Sequence, residues 1–299
     1  MELTTRCLKG SQPGPHLLIT GGVHGDEFEP MAAIRRLMRE LDPGSIRGQV
    51  TFVPVVNEAA YLRGHRTAED GLDLARICPG RADGSVTERT AAALSQLIRS
   101  ADYYIDLHTG GSQMSVYPLS GYSLHRDPQV LDVQRRMARA FNLPVIWGTS
   151  GLPGRSLSVA ADAGIPAIYT EYLGASSCSE EGIEAYVAGC LQVMGELGLT
   201  EPVVTKNLVR WEVEVPEEGS GHIQAQNLSP MTGFFNPAVA LGDSIATGEL
   251  IGTVTDLMGD ETVEVRSQQT GIVLVLRTFR RVLEGDSLGV VLPTADAAG

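Results

Sequence analysis

Short apolar runs alternate with helical segments over residues 1–199, and this alternation constrains the fold more than any other feature of the chain. The apolar runs, which we predict to be buried strands, lie at residues 16–20, 49–56, 101–107 and 167–170. Segments with helical spacing of apolar residues lie at 29–41, 86–99, 127–141 and 180–197, and Thr87 is the predicted N-cap of the second. This alternation indicates an α/β domain with a largely parallel sheet.

The sequence changes character after about residue 199. Residues 203–216 alternate as strands do, and from residue 233 onward short β-rich runs lie between Gly-Asp pairs. We therefore predict two domains: a large α/β domain at residues 1–199 and a small C-terminal all-β, barrel-like domain at residues 200–299.

Charge and composition exclude several classes of partner. The formal net charge is −13, and an acidic surface repels nucleic acids and anionic membranes. No apolar run approaches the roughly 18 residues that span a membrane, and residues 1–10 lack the apolar segment of a secretory signal. The four cysteines are scattered, with no Cys-x-x-Cys pair, which is typical of reduced thiols. We expect a cytoplasmic protein that binds neither nucleic acid nor membrane.

The first chemical motif, an His-x-x-Glu pair formed by His24 and Glu27, directly follows the first predicted strand. Imidazole and carboxylate are good zinc ligands, and two side chains three positions apart on a tight turn can reach one ion. The flanking glycines allow the backbone to turn closely. Alone the pair is a weak signal, because such pairs also occur by chance.

The second motif is Asp106-Leu107-His108, at the end of the third predicted strand. In a parallel sheet His108 lies at the same edge as His24, and ligands bind at that edge in open α/β sheets. Two histidines and one glutamate leave a fourth zinc position open, which is typical of catalytic sites. Asp106 is a candidate partner for the second ring nitrogen of a metal-binding histidine. Alone, His108 would be interpreted as an ordinary polar residue at a strand end.

Further candidates are Glu171, after the strand at 167–170, and the arginines of residues 62–77. A glutamate near activated water can act as a general base, whereas elsewhere it would be a salt-bridge partner or a solvated residue. An arginine can polarise a carbonyl or bind a carboxylate, but each one alone is most simply a surface residue.

Together these motifs resemble the zinc carboxypeptidase superfamily, specifically its succinylglutamate desuccinylase/aspartoacylase branch. The same order runs through residues 17–175: His-x-x-Glu, Asn57 and an arginine segment, Asp-Gly-Leu-Asp-Leu-x-Arg, Asp-Leu-His, and the glutamate of Tyr-Thr-Glu. The β-domain is similar to that branch too. The resemblance implies a zinc-carboxypeptidase-like α/β/α catalytic domain with a mostly parallel mixed sheet, and a β-domain that narrows the site and excludes peptides.

The resemblance also implies an activity, which is hydrolysis of the amide bond of a small N-acyl amino acid. His24, Glu27 and His108 would bind one zinc ion per chain. Glu171 would act as general base and acid, and Arg66 would polarise the substrate carbonyl and stabilise the oxyanion.

The substrate contacts that the resemblance implies match the family pattern less completely than the metal ligands do. Arg76 falls where the family binds the substrate carboxylate, but Ala75 stands where the family usually has asparagine, which removes one donor. The remaining candidate contacts are Arg63, Arg155 and Asn57. The predicted partner is a small acylated molecule, with a homo-oligomer as a further possibility.

Three alternatives remain to be compared with this interpretation. A metallocarboxypeptidase would act on short peptides, and an inactive zinc-binding relative would have lost turnover. Retention of Glu171 and Arg66 argues against the second of these, although Ala75 leaves room for it. The β-domain also resembles a biotinyl/lipoyl carrier, but no acceptor lysine follows Lys206, so a carrier role is excluded.

Overall fold

The computed structural model of the chain describes residues 1–221 and 226–294, which form two compact units. The first unit comprises residues 1–109, 118–171 and 176–221. The second comprises residues 110–117 and 172–175 together with the described residues from 226 onward. The predicted β-domain, 200–299, thus includes residues 200–221 of the first unit, and its residues 222–225 and 295–299 lie outside the described part.

The first unit alternates strands and helices along the chain. Its helices are α1 (Phe28–Glu40), α2 (Glu58–Arg63), α3 (Val86–Arg99), α4 (Pro128–Phe141), α5 (Ser156–Asp162) and α6 (Glu180–Glu196). Its strands are β1 (Arg6–Lys9), β2 (Gln12–Thr20), β3 (Arg47–Val53), β4 (Tyr103–His108), β5 (Met114–Ser123), β6 (Val145–Thr149), β7 (Ala167–Gly174) and β8 (Trp211–Val215). The first residues of β5 and the last residues of β7 group with the second unit.

The sheet of the first unit is mostly parallel, which confirms the α/β prediction. Strand β2 pairs in parallel with β3 and with β4, and β4 pairs in parallel with β7. Strand β6 pairs in parallel with β5 and with β8, whereas β1 pairs antiparallel with β3. The carboxyl ends of β2, β4 and β7 therefore meet at one edge, where ligands bind in such sheets.

Helices cover both faces of this sheet. Leu17, Leu18 and Ile19 of β2 are all fully buried, so neither face of the strand is open to solvent. Helix α3 packs against α5, and their side chains share a core with Leu18 and Tyr104. Helices α1 and α4 both pack against α6. This layering holds the central strands and the loops at their carboxyl ends in fixed positions.

The N-cap of α3 is Ser85, so the prediction of Thr87 was wrong. The Ser85 side chain accepts a hydrogen bond from the backbone of Glu88, and the Glu88 carboxylate accepts one from the backbone of Ser85. This reciprocal pair satisfies two of the free backbone groups at the helix start. The Thr87 hydroxyl instead donates to Asp70 at 2.7 Å.

The second unit consists of antiparallel strands. They are β9 (Gly233–Pro237), β10 (Ser244–Ile245), β11 (Leu250–Thr255), β12 (Thr262–Arg266), β13 (Gly271–Arg277), β14 (Arg281–Val282) and β15 (Gly289–Leu292). One sheet has the order β12-β11-β9-β14, and β13 pairs with β10 and β15. The predicted all-β character is therefore confirmed as an antiparallel sheet around a core that includes Phe235, Val254 and Val291.

No helix among residues 1–221 and 226–294 is both long enough and apolar enough to cross a membrane.

Candidate functional site

The loop after β2 presents two of the predicted metal ligands, and close backbone packing fixes its course. Gly22 has a φ of +65°, which favours glycine. A Cβ at Gly25 would lie 2.2 Å from the carbonyl carbon of Ala60 in α2, so a side chain there would collide with the helix backbone. The loop is thereby held against α2, with His24 and Glu27 directed into the protein.

His24, Glu27 and His108 form one buried cluster. Their potential ligand atoms all lie within 4.8 Å of one another. The Nδ1 atom of His24 is 2.6 Å from one Glu27 oxygen, and Nδ1 of His108 is 3.0 Å from the other. Glu27 has no exposed surface, and His24 and His108 are also buried. The structure thus brings together the three residues that sequence spacing selected.

A second carboxylate orients each imidazole of the cluster. Nε2 of His24 lies 3.1 Å from Asp73, and Nε2 of His108 lies 3.2 Å from Asp106. An N–H at each Nε2 can donate to its aspartate, which leaves each Nδ1 lone pair directed toward Glu27. Asp106 contacts a histidine ring nitrogen, as the sequence predicts, and binding of a metal by that histidine stays a prediction.

Asp106 is itself held by buried hydroxyl groups. Thr20 donates to one carboxylate oxygen at 2.8 Å, and Ser156 donates to the other. The Tyr104 hydroxyl, 2.9 Å from the Thr20 oxygen, extends this network. Because burial leaves few alternative partners, these contacts restrict the orientation of Asp106 and therefore of His108.

The electrostatics of the cluster favour a positive charge between the three side chains. Burial alone would lower the pKa of His108, but the carboxylates of Asp106 and Glu27 raise that pKa well above its ordinary value. Burial alone would raise the pKa of Glu27, but the two imidazoles hold that pKa well below its usual range. An imidazole lone pair and a carboxylate oxygen at 2.6 Å need a proton or a cation between them. The donor set, two imidazoles and one carboxylate, is one that zinc accepts.

Glu171 lies beside the cluster on the neighbouring strand. It is paired in register with His108 and lies within β7, rather than after the strand end as the sequence suggested. Its Oε2 atom is buried and has no hydrogen-bond partner in the described part of the chain. Burial raises the pKa of Glu171 to about 8, and Glu27 also raises it, although His108, Arg66 and Arg155 act in the opposite direction. A carboxyl group poised in this range can both take up and release a proton near neutral pH.

Arg66 reaches the same cluster through Asp73. Its Nε and Nη2 atoms donate to Asp73 at 3.2 and 2.9 Å. Its Nη1 atom lies 3.3 Å from Nδ1 of His24 and 3.9 Å from Glu27. Asp73 therefore positions both Arg66 and His24, which makes it the main site residue that the sequence prediction did not assign.

Arg76 and Arg155 form a second, cationic part of the site. A Cβ at Gly154 would lie 2.1 Å from the carbonyl oxygen of Arg76, so the two arginine-bearing segments are in close backbone contact. Burial lowers the pKa of both arginines, and the charge of Arg155 lowers the pKa of Arg76 further. The Nε atom of Arg155 is buried without a hydrogen-bond partner among the described residues. A nearby anion would offset the effect of Arg155 on the pKa of Arg76.

Arg63 and Asn57 are placed differently from the other predicted substrate contacts. Arg63 is exposed at the end of α2, and its side chain makes no hydrogen bond or ion pair within the described part of the chain. Asn57 is 1% exposed, and its side-chain oxygen accepts a hydrogen bond from the backbone of Ala60 as the N-cap of α2. The structure gives Asn57 a structural role at the start of α2, and substrate contacts by either residue stay predictions.

A family model matches most of the first unit. Residues 13–197 match the succinylglutamate desuccinylase/aspartoacylase catalytic domain. The chain is also similar to N-alpha-acetyl-L-2,4-diaminobutyric acid deacetylase of Halomonas elongata, with 30% identity over 297 residues that cover 96% of this chain and 84% of the relative.

Two solved structures are similar over nearly the whole chain. The product-bound ectoine utilization protein EutE (DoeB) of Ruegeria pomeroyi has a TM-score of 0.87 at 26% identity, covering 96% of this chain and 87% of that one. A succinylglutamate desuccinylase/aspartoacylase of Rhodobacter sphaeroides has a TM-score of 0.87 at 29% identity, covering 97% and 89%. The similarity therefore extends through both units.

Proposed function

The chain belongs to the succinylglutamate desuccinylase/aspartoacylase family, and we propose that it is a zinc-dependent deacylase that hydrolyses the amide bond of a small N-acyl amino acid. Family members with assigned names are deacetylases and desuccinylases of such compounds. The observation that carries the proposal is the buried His24–Glu27–His108 cluster with the raised-pKa carboxyl of Glu171 beside it.

His24, Glu27 and His108 would bind the zinc ion. Zinc, when bound there, would supply a Lewis acid that activates water for attack at neutral pH. Asp73 and Asp106 keep a proton on Nε2 of each histidine, so that both Nδ1 atoms are available as ligands. The buried, carboxylate-rich surroundings support binding of a cation in this position.

Glu171 would transfer the protons of the reaction. As a base it takes a proton from the attacking water, and as an acid it delivers that proton to the leaving nitrogen. Its Oε2 atom, which has no hydrogen-bond partner in the described part of the chain, supports this role, because the oxygen is available to a reacting group.

Arg66 would donate to the oxygen of the scissile carbonyl as negative charge develops there. Its contacts with Asp73 leave Nη1 directed toward the His24–Glu27 pair. Because Asp73 holds the guanidinium in advance, little reorganisation is needed when the charge forms.

Arg76 and Arg155 would hold the substrate carboxylate. The half-buried guanidinium of Arg155 and the exposed guanidinium of Arg76 together offer an anion site, and Ala75 contributes no side-chain donor to it. This supports an amino-acid leaving group with a free carboxylate. The name of the Halomonas elongata relative makes an N-acetylated diamino acid the first substrate to test.

A substrate panel tests this proposal. The purified, zinc-loaded protein is assayed with acetyl, succinyl and longer acyl derivatives of several amino acids, including N-alpha-acetyl-2,4-diaminobutyrate, and with short peptides as the comparison. We expect release of free amino acid from at least one N-acyl amino acid at a rate well above that from any peptide. Preferential cleavage of peptides would indicate a carboxypeptidase, and no turnover of any compound would indicate an inactive relative.

A further inference from the structure

Tyr169 lies on the site face of β7, two residues before Glu171. Alternate residues of a strand point to the same face of a sheet, so Tyr169 and Glu171 share a face. In register, Tyr169 is opposite Asp106 and Glu171 is opposite His108. Tyr169 therefore lies on the same face as Glu171, further from the carboxyl end of β7. None of the roles proposed above involves it.

A glycine on the adjacent strand gives the Tyr169 ring its space. Strand β5 neighbours β7, and a Cβ at Gly121 would lie 2.3 to 2.6 Å from the ring and hydroxyl atoms of Tyr169. Any side chain at residue 121 would displace the ring. The ring therefore lies across the glycine, and packing against Gly121 and the core cluster around Leu18 fixes its position.

The Tyr169 hydroxyl is acted on by charged groups but has no hydrogen-bond partner among the residues that the structure describes. Burial and the negative charge of Glu171 raise its pKa, whereas Arg155 lowers it. The phenol therefore keeps its proton at neutral pH and can donate. The Nε atom of Arg155 is buried without a hydrogen-bond partner within residues 1–221 and 226–294, and no hydrogen bond of the Tyr169 hydroxyl is found within the same residues. The charges of Glu171 and Arg155 both act on the Tyr169 hydroxyl, and Tyr169 lies two residues from Glu171 on the same face of β7. Polar groups without partners among the described residues are suited to a polar group on a ligand.

We propose that Tyr169 is a substrate-binding residue whose hydroxyl donates to the carboxylate of the amino-acid portion of the substrate, beside Arg155. This inference rests on the proposed deacylase function and adds a contact to the leaving-group side of the site. The ligand would be recognised by the neutral hydroxyl donor of Tyr169 together with the guanidinium of Arg155, a pair that suits a single carboxylate.

The test compares Tyr169→Phe with Tyr103→Phe. The phenylalanine at 169 keeps the ring and its packing and removes only the hydroxyl. Tyr103 is a matched control, because it begins β4 opposite Leu17, at the other end of the strand from His108. For each protein we measure kcat and KM for the best N-acyl amino acid, the inhibition constant of the free amino-acid product, and the inhibition constant of the corresponding amine without the carboxylate.

We expect Tyr169→Phe to raise KM and the product inhibition constant by about 10- to 100-fold, the loss expected for a hydrogen bond to a charged group, with little change in kcat. The inhibition constant of the amine should not change, because that compound lacks the carboxylate. Tyr103→Phe should match the wild type throughout. A role in packing alone would change both inhibition constants or kcat, and that result would overturn the proposal.

The two proposals fail in distinguishable ways. If the wild-type protein hydrolyses N-acyl amino acids and Tyr169→Phe has unchanged constants, only the role of Tyr169 is wrong. If the wild-type protein neither hydrolyses an N-acyl amino acid nor is bound by a free amino acid, both proposals are overturned.

Discussion

At the scale of single residues, the site depends on how carboxylates are shared among cationic and neutral partners. Glu27 faces both imidazoles, and Asp73 serves His24 and Arg66 together. Removing one such carboxylate would leave buried partners unsatisfied, which costs more than a single hydrogen bond contributes. The site therefore behaves as a unit, and its residues are best separated by substitutions that preserve shape.

Glu171→Gln is such a substitution, since it keeps the shape and removes the base. We expect kcat to fall by at least roughly two orders of magnitude, because general base catalysis contributes about that much. Zinc content should not change. Steady-state kinetics together with metal analysis measures both quantities.

Glu180→Gln is the control for this variant, because Glu180 is an exposed residue at the start of α6. It should retain wild-type kinetics. Near-normal turnover by Glu171→Gln would assign the proton transfer to another group.

Arg66 and Arg76 should separate in their kinetic effects. Arg66 acts on charge that develops during the reaction, so Arg66→Ala should lower kcat more than it raises KM. Arg76 binds an anion present from the start, so Arg76→Ala should chiefly raise KM. Steady-state kinetics of the two variants measures the split, and the reverse pattern would mean that the two roles are exchanged.

The sequence predicts some of these residues better than others, for physical reasons. His24, Glu27 and His108 lie at the ends of two predicted parallel strands, and strand ends at one edge must be close. Asp73 lies in a segment with a short 3-10 helix, where no periodicity indicates the direction of a side chain. Tyr169 lies in the short run at residues 167–170, where the sequence shows no alternation of apolar and polar residues that would mark its site face. Asp73 and Tyr169 can be assigned to the site only from the residues that surround them in the structure.

At the scale of elements, the four long helices and the strands β2, β3, β4 and β7 were predicted from the sequence, whereas strands β5 and β6 and helices α2 and α5 were not. The helix predicted at 86–99 has the observed bounds, Val86–Arg99. Strand β5 contains Pro118 and Gly121, which weaken a strand in isolation, and Gly121 is explained only by the Tyr169 ring against it. Helix α5 has seven residues, too few to establish a helical period. The alternation at 203–216 predicts strand β8 but does not specify its pairing with β6.

An ion pair joins β8 to α4, and its contribution to the stability of the fold should depend on pH. Arg135 donates two hydrogen bonds of 2.8 Å to Glu214 of β8, and the Tyr122 hydroxyl donates a third at 2.7 Å. The bond from Arg135 is the main reason that the pKa of Glu214 lies below its ordinary value of 4.5. A lowered pKa means that the folded state binds fewer protons than the unfolded state, so the contribution to stability is present above pH 4.5 and is lost as the pH falls further.

Glu214→Gln should therefore lower the melting temperature at pH 7, and its difference from the wild type should shrink as the pH falls below 4.5. Thermal melts across a pH series measure this difference. Glu217→Gln, at an exposed residue two positions after the strand, should show no pH-dependent difference. A Glu214→Gln effect that is constant with pH would show that the loss comes from packing and not from charge.

At the scale of the whole molecule, every residue proposed to bind zinc or act in catalysis belongs to the first unit. The second unit contributes antiparallel strands with their own core. Its open cavity of about 580 Å³ is lined by residues that include Asp243, Glu249 and Arg266. We propose, following the family resemblance, that this unit limits substrate size and carries out no chemistry.

Single alanine substitutions of Asp243, Glu249 and Arg266 test this division of roles. We expect each variant to retain the kcat of the wild type for the smallest substrate, with any change in rate confined to substrates with longer acyl groups. Kinetics with an acyl-chain series measures the effect. If one of these variants lost turnover of the smallest substrate with unchanged folding and zinc content, the second unit would take part in the chemistry.

The central claim is that His24, Glu27 and His108 bind one zinc ion, and metal analysis of the purified protein tests it most directly. The wild-type protein should contain one zinc ion per chain, and so should a control with His16→Ala and His125→Ala, whose rings contact Thr51 and the backbone of Ala161. The protein with His24→Ala and His108→Ala should contain none, because a single carboxylate is left to hold the ion. Stoichiometric zinc in that double variant would contradict the account.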